Sequence, residues 1–251
     1  MPEIKTNNLT HTFGKGGHDA LTVLEDIDLT FESGSFNSII GTSGCGKSTL
    51  LKMMAGLFDP SDGAMTLDGD VIQGTDRRRG MVFQQDAVFP WMTVAKNISY
   101  GPRLRGASKA QQAEIEAKWT DMVGLKGFED RWPRELSGGM RKRVDIGRVY
   151  ANDPDVLLMD EPFGALDAQT KERMQSDLLE TWTKTKKTVI FVTHDIEEAI
   201  FLSDKIVVLS SRPGRVHHIE DVALARPRTD EMRLTDEFLD IKRRLWAMLD
   251  H

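Results

Sequence analysis

The chain has 251 residues, of which 39% are hydrophobic and 29% charged, and its formal net charge is −6. This composition excludes a disordered or fibrous protein, and the negative balance disfavours nucleic acid as a partner. One cysteine excludes an internal disulfide framework, and no Cys/His cluster has the spacing of a structural zinc site. Because no apolar run is long enough for a bilayer span and no secretory signal is visible, we expect a cytoplasmic protein.

The N-terminal part of the chain predicts a small antiparallel β layer. Residues 4–13 and 23–32 have the pattern of strands and are joined by a glycine-rich loop at 14–17. Residues 36–40 then form a short apolar strand, and a helix is predicted over 50–55.

Beyond the first helix, strands and helices alternate. Strands are predicted near 65–67 and 81–83, and residues 94–150 have a helical pattern that is clearest at 110–122. The core then resumes with strands at 156–159, 188–192 and 206–209, and with helices at 168–184, from 196, and from about 231 to 249. This order predicts one α/β domain with a mainly parallel sheet, divided into a β layer and P-loop core (1–88), an inserted helical subdomain (89–152), a continuation of the core (153–216) and a C-terminal tail with a helix (217–251).

A glycine-rich segment after the third predicted strand has the spacing of a phosphate-binding P-loop. Small residues there let backbone N–H groups turn toward a phosphate at the positive N-terminus of a helix. Lys47 is expected to reach the β- and γ-phosphates, and Ser48 to bind Mg²⁺. The alternative is a mobile turn, which the flanking strand and helix disfavour. The predicted nucleotide-binding residues are Gly41, Thr42, Ser43, Gly44, Cys45, Gly46, Lys47, Ser48 and Thr49.

Polar residues follow two of the buried strands at their carboxyl ends, where open α/β sheets bind ligands. Asp160 has the placement of a Mg²⁺ ligand. The neighbouring Glu161 is placed to polarise water for attack on the γ-phosphorus. The alternative for this pair is an ordinary turn after a strand. His194 has an imidazole that can donate to the γ-phosphate, although a lone histidine is more often structural.

A second glycine-rich segment lies in the helical region. Ser137, Gly138 and Gly139 precede a predicted helix and offer one hydroxyl and two unshielded backbone amides at a positive helix end. The segment predicts a second anion site, and an ordinary helix cap explains the same residues equally well.

In order along the chain, the P-loop, Gln84, residues 136–140, 156–161 and 165–167, and His194 resemble the motifs of the ATP-binding-cassette ATPases. The resemblance covers about residues 4–216 and implies the fold, ATP and Mg²⁺ as cofactors, and hydrolysis of ATP to ADP and phosphate. It further implies that Phe13 stacks on adenine, that Gln84 links Mg²⁺ and water to a membrane partner, and that His194 contacts the γ-phosphate.

The same resemblance implies a dimer. Two copies of the chain associate head to tail, so that Ser137 and Gly139 of one copy close over ATP bound to the P-loop of the other. Asp167 resembles the aspartate at the dimer contact. The helix after residue 139 departs from the family pattern, because Asp145 and Gly147 stand where alanine is common.

Residues 83–91, 160–169 and 211–215 resemble the nitrate, sulfonate and taurine importer branch. This implies two separate transmembrane permease subunits, a periplasmic or extracellular solute-binding protein, a small and anionic solute, and a place on the cytoplasmic face of the inner membrane. The alternatives are a cassette ATPase acting outside transport, or a nucleotide-sensing module without turnover.

Overall fold

The computed structural model of the protein describes residues 2–14, 20–164 and 166–249, so most of the predicted loop at 14–17, and Ala165, lie outside the described residues. The strands are β1 (Ile4–Phe13), β2 (Leu21–Phe31), β3 (Phe36–Gly41), β4 (Asp62–Leu67), β5 (Asp70–Val71), β6 (Arg79–Val82), β7 (Val156–Asp160), β8 (Thr188–Val192), β9 (Lys205–Leu209) and β10 (Val216–Asp221). The helices are α1 (Lys47–Met54), α2 (Val94–Ile98), α3 (Tyr100–Leu104), α4 (Lys109–Met122), α5 (Gly138–Ala151), α6 (Ala168–Thr185), α7 (Ile196–Leu202) and α8 (Asp236–Leu249), with 3₁₀ turns at Pro133–Glu135 and Asp230–Leu234.

The described residues divide into two compact units. The first unit comprises the described parts of Met1–Asp76, Leu158–Glu161 and Lys186–His251. The second unit comprises Arg77–Leu157 and the described part of Pro162–Thr185. Strand β7 begins in the second unit, where β6 is its neighbour, and ends in the first.

Two sheets organise the first unit. One is a four-stranded sheet of order β2-β1-β4-β5, in which β1 pairs antiparallel with both β2 and β4. The other has the order β10-β9-β3-β8-β7, with β3 parallel to β8 and β9 and with β10 antiparallel to β9. The predicted α/β fold, with a mainly parallel sheet and an N-terminal antiparallel layer, is therefore confirmed.

The central strands of the parallel sheet form the core. Every residue of β3, β7 and β8 is buried, which is why these strands are continuous apolar runs rather than alternating ones. The buried exceptions in β3 are polar and paired: the Asn37 side-chain amide donates to the Ser35 hydroxyl at 2.8 Å, and the Ser38 hydroxyl bonds that of Ser203.

Residues 216–221 differ from the prediction of a C-terminal tail, because they form β10 beside β9. The sequence of this strand, Val-His-His-Ile-Glu-Asp, is too polar to predict a strand. His218 is half-buried, and its Nε2 lies 3.0 Å from Glu220 Oε2.

The predicted continuous helix over residues 231–249 is wrong at its start. A 3₁₀ turn at Asp230–Leu234 ends at Thr235, which is extended and whose hydroxyl accepts the Phe238 N–H at 3.4 Å. A threonine hydroxyl that accepts a backbone N–H takes the place of a backbone carbonyl as acceptor and caps the start of a new helix. Helix α8 therefore begins at Asp236, and its buried residues are Phe238, Ile241 and Leu245.

The second unit is mainly helical. The predicted helical region at 94–150 consists of α2, α3, α4, one 3₁₀ turn and α5. Helix α5 runs without interruption through Asp145 and Gly147. No helix among the described residues combines the length and the apolar character that crossing a bilayer requires.

We expect Gly147→Ala to stabilise the protein. A Cβ at this position would lie 3.4 Å from Val123 Cγ1 and 3.5 Å from Ile98 Cδ1, which are ordinary contacts. The gain should be up to ~1 kcal/mol, because glycine in a helix interior is that much less favourable than alanine. Thermal unfolding measures it as a higher Tm. The matched control is Gly101→Ala in α3, where a Cβ would lie 1.8 Å from Asn152 Oδ1 and should lower the Tm. A Gly147→Ala protein that melts below the wild type would contradict this prediction.

Candidate functional site

The P-loop follows β3 and leads directly into α1. Gly44 and Gly46 have φ values of +78° and +104°, a region that glycine adopts without strain. A Cβ on Gly46 would also lie 2.6 Å from Leu24 Cδ2. Helix α1 begins at Lys47 rather than at the predicted residue 50, so the Ser48 and Thr49 amides stand in its first turn. These features give a positive helix end that opens from the loop.

Lys47 is held by the loop itself. Its Nζ donates to the carbonyls of Gly41 at 2.8 Å and Thr42 at 3.0 Å, and the side chain is 6% exposed. Cys45 is buried, with its Sγ 3.9 Å from the same Nζ. The ammonium group is therefore already directed into the loop.

A cleft of about 590 Å³ opens beside the loop within the first unit. Gly41, Thr42 and Ser43 line one side of it, and His194 lies on its wall. This volume is within the range of small-molecule sites in proteins.

Two residues that contact the P-loop were not predicted from the sequence. The Arg212 guanidinium donates to the Gly44 carbonyl at 3.3 Å. Gly214 packs so closely that a Cβ there would lie 2.1 Å from the Cys45 carbonyl oxygen. Both contacts join residues about 170 positions apart, so no local pattern predicts them.

Ser48 and Asp160 meet at the end of β7. The Ser48 hydroxyl donates to Asp160 Oδ1 at 2.7 Å, and Asp160 is 3% exposed. Burial raises the pKa of Asp160 above its ordinary value, by more than the hydrogen bond from Ser48 and the charge of Lys52 lower it. A hydroxyl and a carboxylate oxygen are the hard ligands that Mg²⁺ prefers, so these two residues fit such an ion.

We expect Asp160→Asn to raise the Tm of the nucleotide-free protein at pH 7 and to remove most of the further stabilisation that Mg²⁺ and ATP provide. Because its folded-state pKa is raised, the ionised carboxylate opposes folding at neutral pH, and this effect diminishes as the pH falls from the folded-state pKa toward the lower unfolded-state pKa. The Tm difference between variant and wild type should therefore be smaller at pH 4 than at pH 7. Thermal unfolding at both pH values, with and without Mg²⁺ and ATP, measures it. A difference independent of pH would contradict the assignment.

Glu161 and His194 lie at the ends of adjacent strands. Glu161 follows β7 with φ +42°, and its backbone N–H donates to the Val192 carbonyl at 2.9 Å. His194 Nδ1 lies 3.2 Å from Glu161 Oε2, with the imidazole largely exposed. The strand ends thus bring together the two side chains predicted from separate parts of the sequence.

Phe13 stands at the end of β1 and is 46% exposed. Its ring meets the His11 ring edge-to-face, with the centroids 4.6 Å apart, and also approaches Phe58. One face of the side chain is therefore packed in the β layer, while the exposed part is accessible to a planar ligand.

The remaining predicted residues belong to the second unit. Ser137 caps α5, because its hydroxyl accepts the Met140 N–H at 3.3 Å, and Gly138 is the first helical residue. A Cβ on Gly139 would lie 2.9 Å from Thr170 Cγ2. Gln84 is exposed in the loop after β6. The second glycine-rich segment therefore does form a helix N-terminus.

Asp167 precedes α6 in the same unit and is exposed. The Thr170 N–H donates to its carboxylate at 3.0 Å, and this hydrogen bond lowers the pKa of Asp167. The side chain is thus ionised at neutral pH and held at the start of the helix.

Comparisons with known proteins connect these features. The profile of the ABC transporter family matches residues 24–164. The chain is 47% identical to an uncharacterized ABC transporter ATP-binding protein of Methanocaldococcus jannaschii, over 98% of this chain and 91% of that protein. It is 46% identical to the taurine import ATP-binding protein TauB of Roseobacter denitrificans (86% and 81% covered) and 46% identical to the nitrate import ATP-binding protein NrtD of a Synechocystis strain (85% and 80%). Among solved structures, the ATP-binding cassette MJ0796, a dimer bound to ADP and Pi in a post-hydrolysis state, superposes with a TM-score of 0.77 at 32% identity, covering 88% of this chain and all of that one.

Proposed function

Because this chain belongs to the ABC transporter family of ATPases, we propose that it is the ATP-hydrolysing subunit of an importer for a small anionic solute. The observation that carries the proposal is the arrangement in the first unit. There the P-loop, the Ser48–Asp160 pair and the Glu161–His194 pair lie around strand ends of one sheet. The named importer relatives support transport over the alternatives of a non-transport cassette ATPase or a nucleotide sensor.

Each residue of this arrangement has a defined task. The backbone N–H groups of the P-loop bind the phosphates, and Lys47 exchanges its carbonyl partners for β- and γ-phosphate oxygens. Ser48 and Asp160 would hold Mg²⁺, which would neutralise part of the charge on the phosphate chain when bound, and by the family resemblance Gln84 would be a further ligand. Glu161 orients the attacking water, and His194 donates to the γ-phosphate while holding the Glu161 carboxylate. Phe13 stacks on adenine.

The second unit supplies the other half of the site in a dimer. Ser137, Gly138 and Gly139 of one copy close over ATP held by the P-loop of the other, because a helix N-terminus with unshielded amides binds anions. Asp167 lies at the contact between the copies. Hydrolysis removes the γ-phosphate that both copies share and reopens the dimer.

Two permease subunits respond to this opening and closing through the loop that carries Gln84. The importer is completed by a solute-binding protein outside the membrane, which places the chain on the cytoplasmic face. Taurine and nitrate are the first solutes to test, since relatives are named for their import.

Reconstitution tests the proposal. The purified chain is combined with its permease pair in proteoliposomes, and ATP hydrolysis is measured with and without the solute-loaded binding protein. Stimulation of turnover together with solute uptake is the expected result. Hydrolysis that never responds to the permease or the loaded binding protein would overturn the importer assignment while leaving the ATPase assignment intact.

A further inference from the structure

A buried lysine joins helix α5 to the loop that carries Gln84. Lys142 lies in the second turn of α5 and is 4% exposed. Its Nζ donates to the Phe83 carbonyl at 2.9 Å and to the Gln84 carbonyl at 3.2 Å. Helix α5 begins at the Ser137 cap, so one helix carries both the second glycine-rich segment and the contact to this loop.

The charge of Lys142 is balanced by two carboxylates. Asp86 lies 3.7 Å from Nζ and is itself bonded by Arg141 Nε at 2.9 Å. On the other side, Asp145 Oδ2 lies 4.0 Å from Nζ. An ammonium group buried without such partners is strongly unfavourable, so the carboxylates make this position possible.

Asp145 is unusual in this helix. It is completely buried, and its Oδ1 accepts from Arg148 at 2.7 Å. Its Oδ2 has no hydrogen-bond partner among the described residues. A buried carboxylate oxygen that makes no hydrogen bond contributes only its charge, and the charge of this carboxylate is balanced by Arg148 at 2.7 Å and by Lys142 at 4.0 Å. Two cations thus allow a buried carboxylate at a position where the family pattern has alanine.

We propose that Lys142 is a positioning residue that fixes the Gln84 loop to helix α5, so that this loop and the Ser137–Gly139 segment move together. Two ammonium hydrogen bonds to successive carbonyls constrain the backbone of the loop, not a mobile side chain. This inference rests on the proposed function, because it concerns how the permease-facing loop and the ATP-closing segment are coupled.

Lys142→Met tests the proposal, since methionine keeps the length of the side chain and removes the donors. In a Cys45→Ser background, a spin label at the exposed Gln85→Cys reports the mobility of the loop by electron paramagnetic resonance. We expect a more mobile label in Lys142→Met. In the chain that retains Cys45, kcat for ATP should fall between about twofold and thirtyfold, with KM changed less, as for other coupling residues.

Arg143→Met is the matched control. Arg143 is the next long cation of α5, and its guanidinium pairs with Asp177 at 3.1 Å and donates to the Val123 carbonyl at 3.4 Å. Its loss should affect stability but not label mobility. If Lys142→Met folds poorly, Lys142→Met/Asp145→Ala also removes the buried carboxylate that has lost one of its two cationic partners, and it should restore folding while the label stays mobile. An immobile label in either folded Lys142 variant would overturn the inference. Because the label reports without ATP hydrolysis, this result is distinct from a failure of the proposed function.

Discussion

Replacing Glu161 by Gln is expected to reduce ATP hydrolysis by a factor of about 10² to 10⁴, which is typical for loss of a general base. Glutamine has the same shape and keeps a hydrogen-bonding oxygen for His194, which lies 3.2 Å from Oε2. Glutamine cannot accept a proton from water, however, and it has no charge to orient the water molecule. The P-loop and the Ser48–Asp160 pair are unchanged, so ATP should still bind and hold the dimer closed.

Steady-state phosphate release and size-exclusion chromatography in ATP together test this prediction. The variant should elute as a dimer in ATP, whereas the wild type should return to its nucleotide-free state as ATP is consumed. Glu180→Gln is the control, because Glu180 lies exposed on α6 and pairs with Lys184. Turnover in Glu161→Gln close to that of the wild type would rule out the role assigned to this carboxylate.

Two inactive variants are expected to restore activity when they are mixed. Lys47→Ala removes the phosphate-binding ammonium, and Ser137→Arg blocks the cap of α5 with a bulky side chain. Each protein alone should hydrolyse ATP at least ~100-fold more slowly than the wild type, as expected for loss of electrostatic stabilisation. In a mixed dimer, one site combines the intact P-loop of one copy with the intact Ser137 segment of the other.

The size of the recovery follows from symmetry. At equal concentrations about half of the dimers are mixed, and each has one intact site of two, so turnover should reach at most about a quarter of the wild-type value. The control places both substitutions in one chain and mixes it with wild-type chain: its mixed dimers contain no intact site, so only the wild-type dimers turn over and the mixture should fall to about a quarter of the wild-type value, whereas chains that complete their own sites would keep about half. Absence of recovery with the separate variants, if they form dimers, would show that each chain completes its own site.

The core could be predicted from local sequence patterns. Every residue of strands β3, β7 and β8 is buried, and strands of this kind are mostly apolar, so their sequences predict them without knowledge of the neighbouring strands. Glycines in the P-loop are required by backbone conformation, which also leaves a local signal. For the same reason the carboxylates and the histidine directly after these strands could be assigned to one edge of the sheet.

The C-terminal elements were harder to predict from the sequence. Strand β10 is held by backbone hydrogen bonds to β9, and these place few demands on its side chains. The break before α8 depends on the Thr235 hydroxyl, which accepts a backbone N–H and so starts a new helix instead of allowing the preceding turn to continue. A periodic pattern does not distinguish these outcomes.

Local patterns were enough to predict the α/β fold, the P-loop and the order of the polar residues at the strand ends, because apolar periodicity and glycine spacing act over a few residues. Only the tertiary structure decided that Arg212 and Gly214 support the P-loop and that Lys142 holds the Phe83 and Gln84 carbonyls. These contacts join residues distant along the chain, and their energies depend on burial and on partners that no local pattern contains.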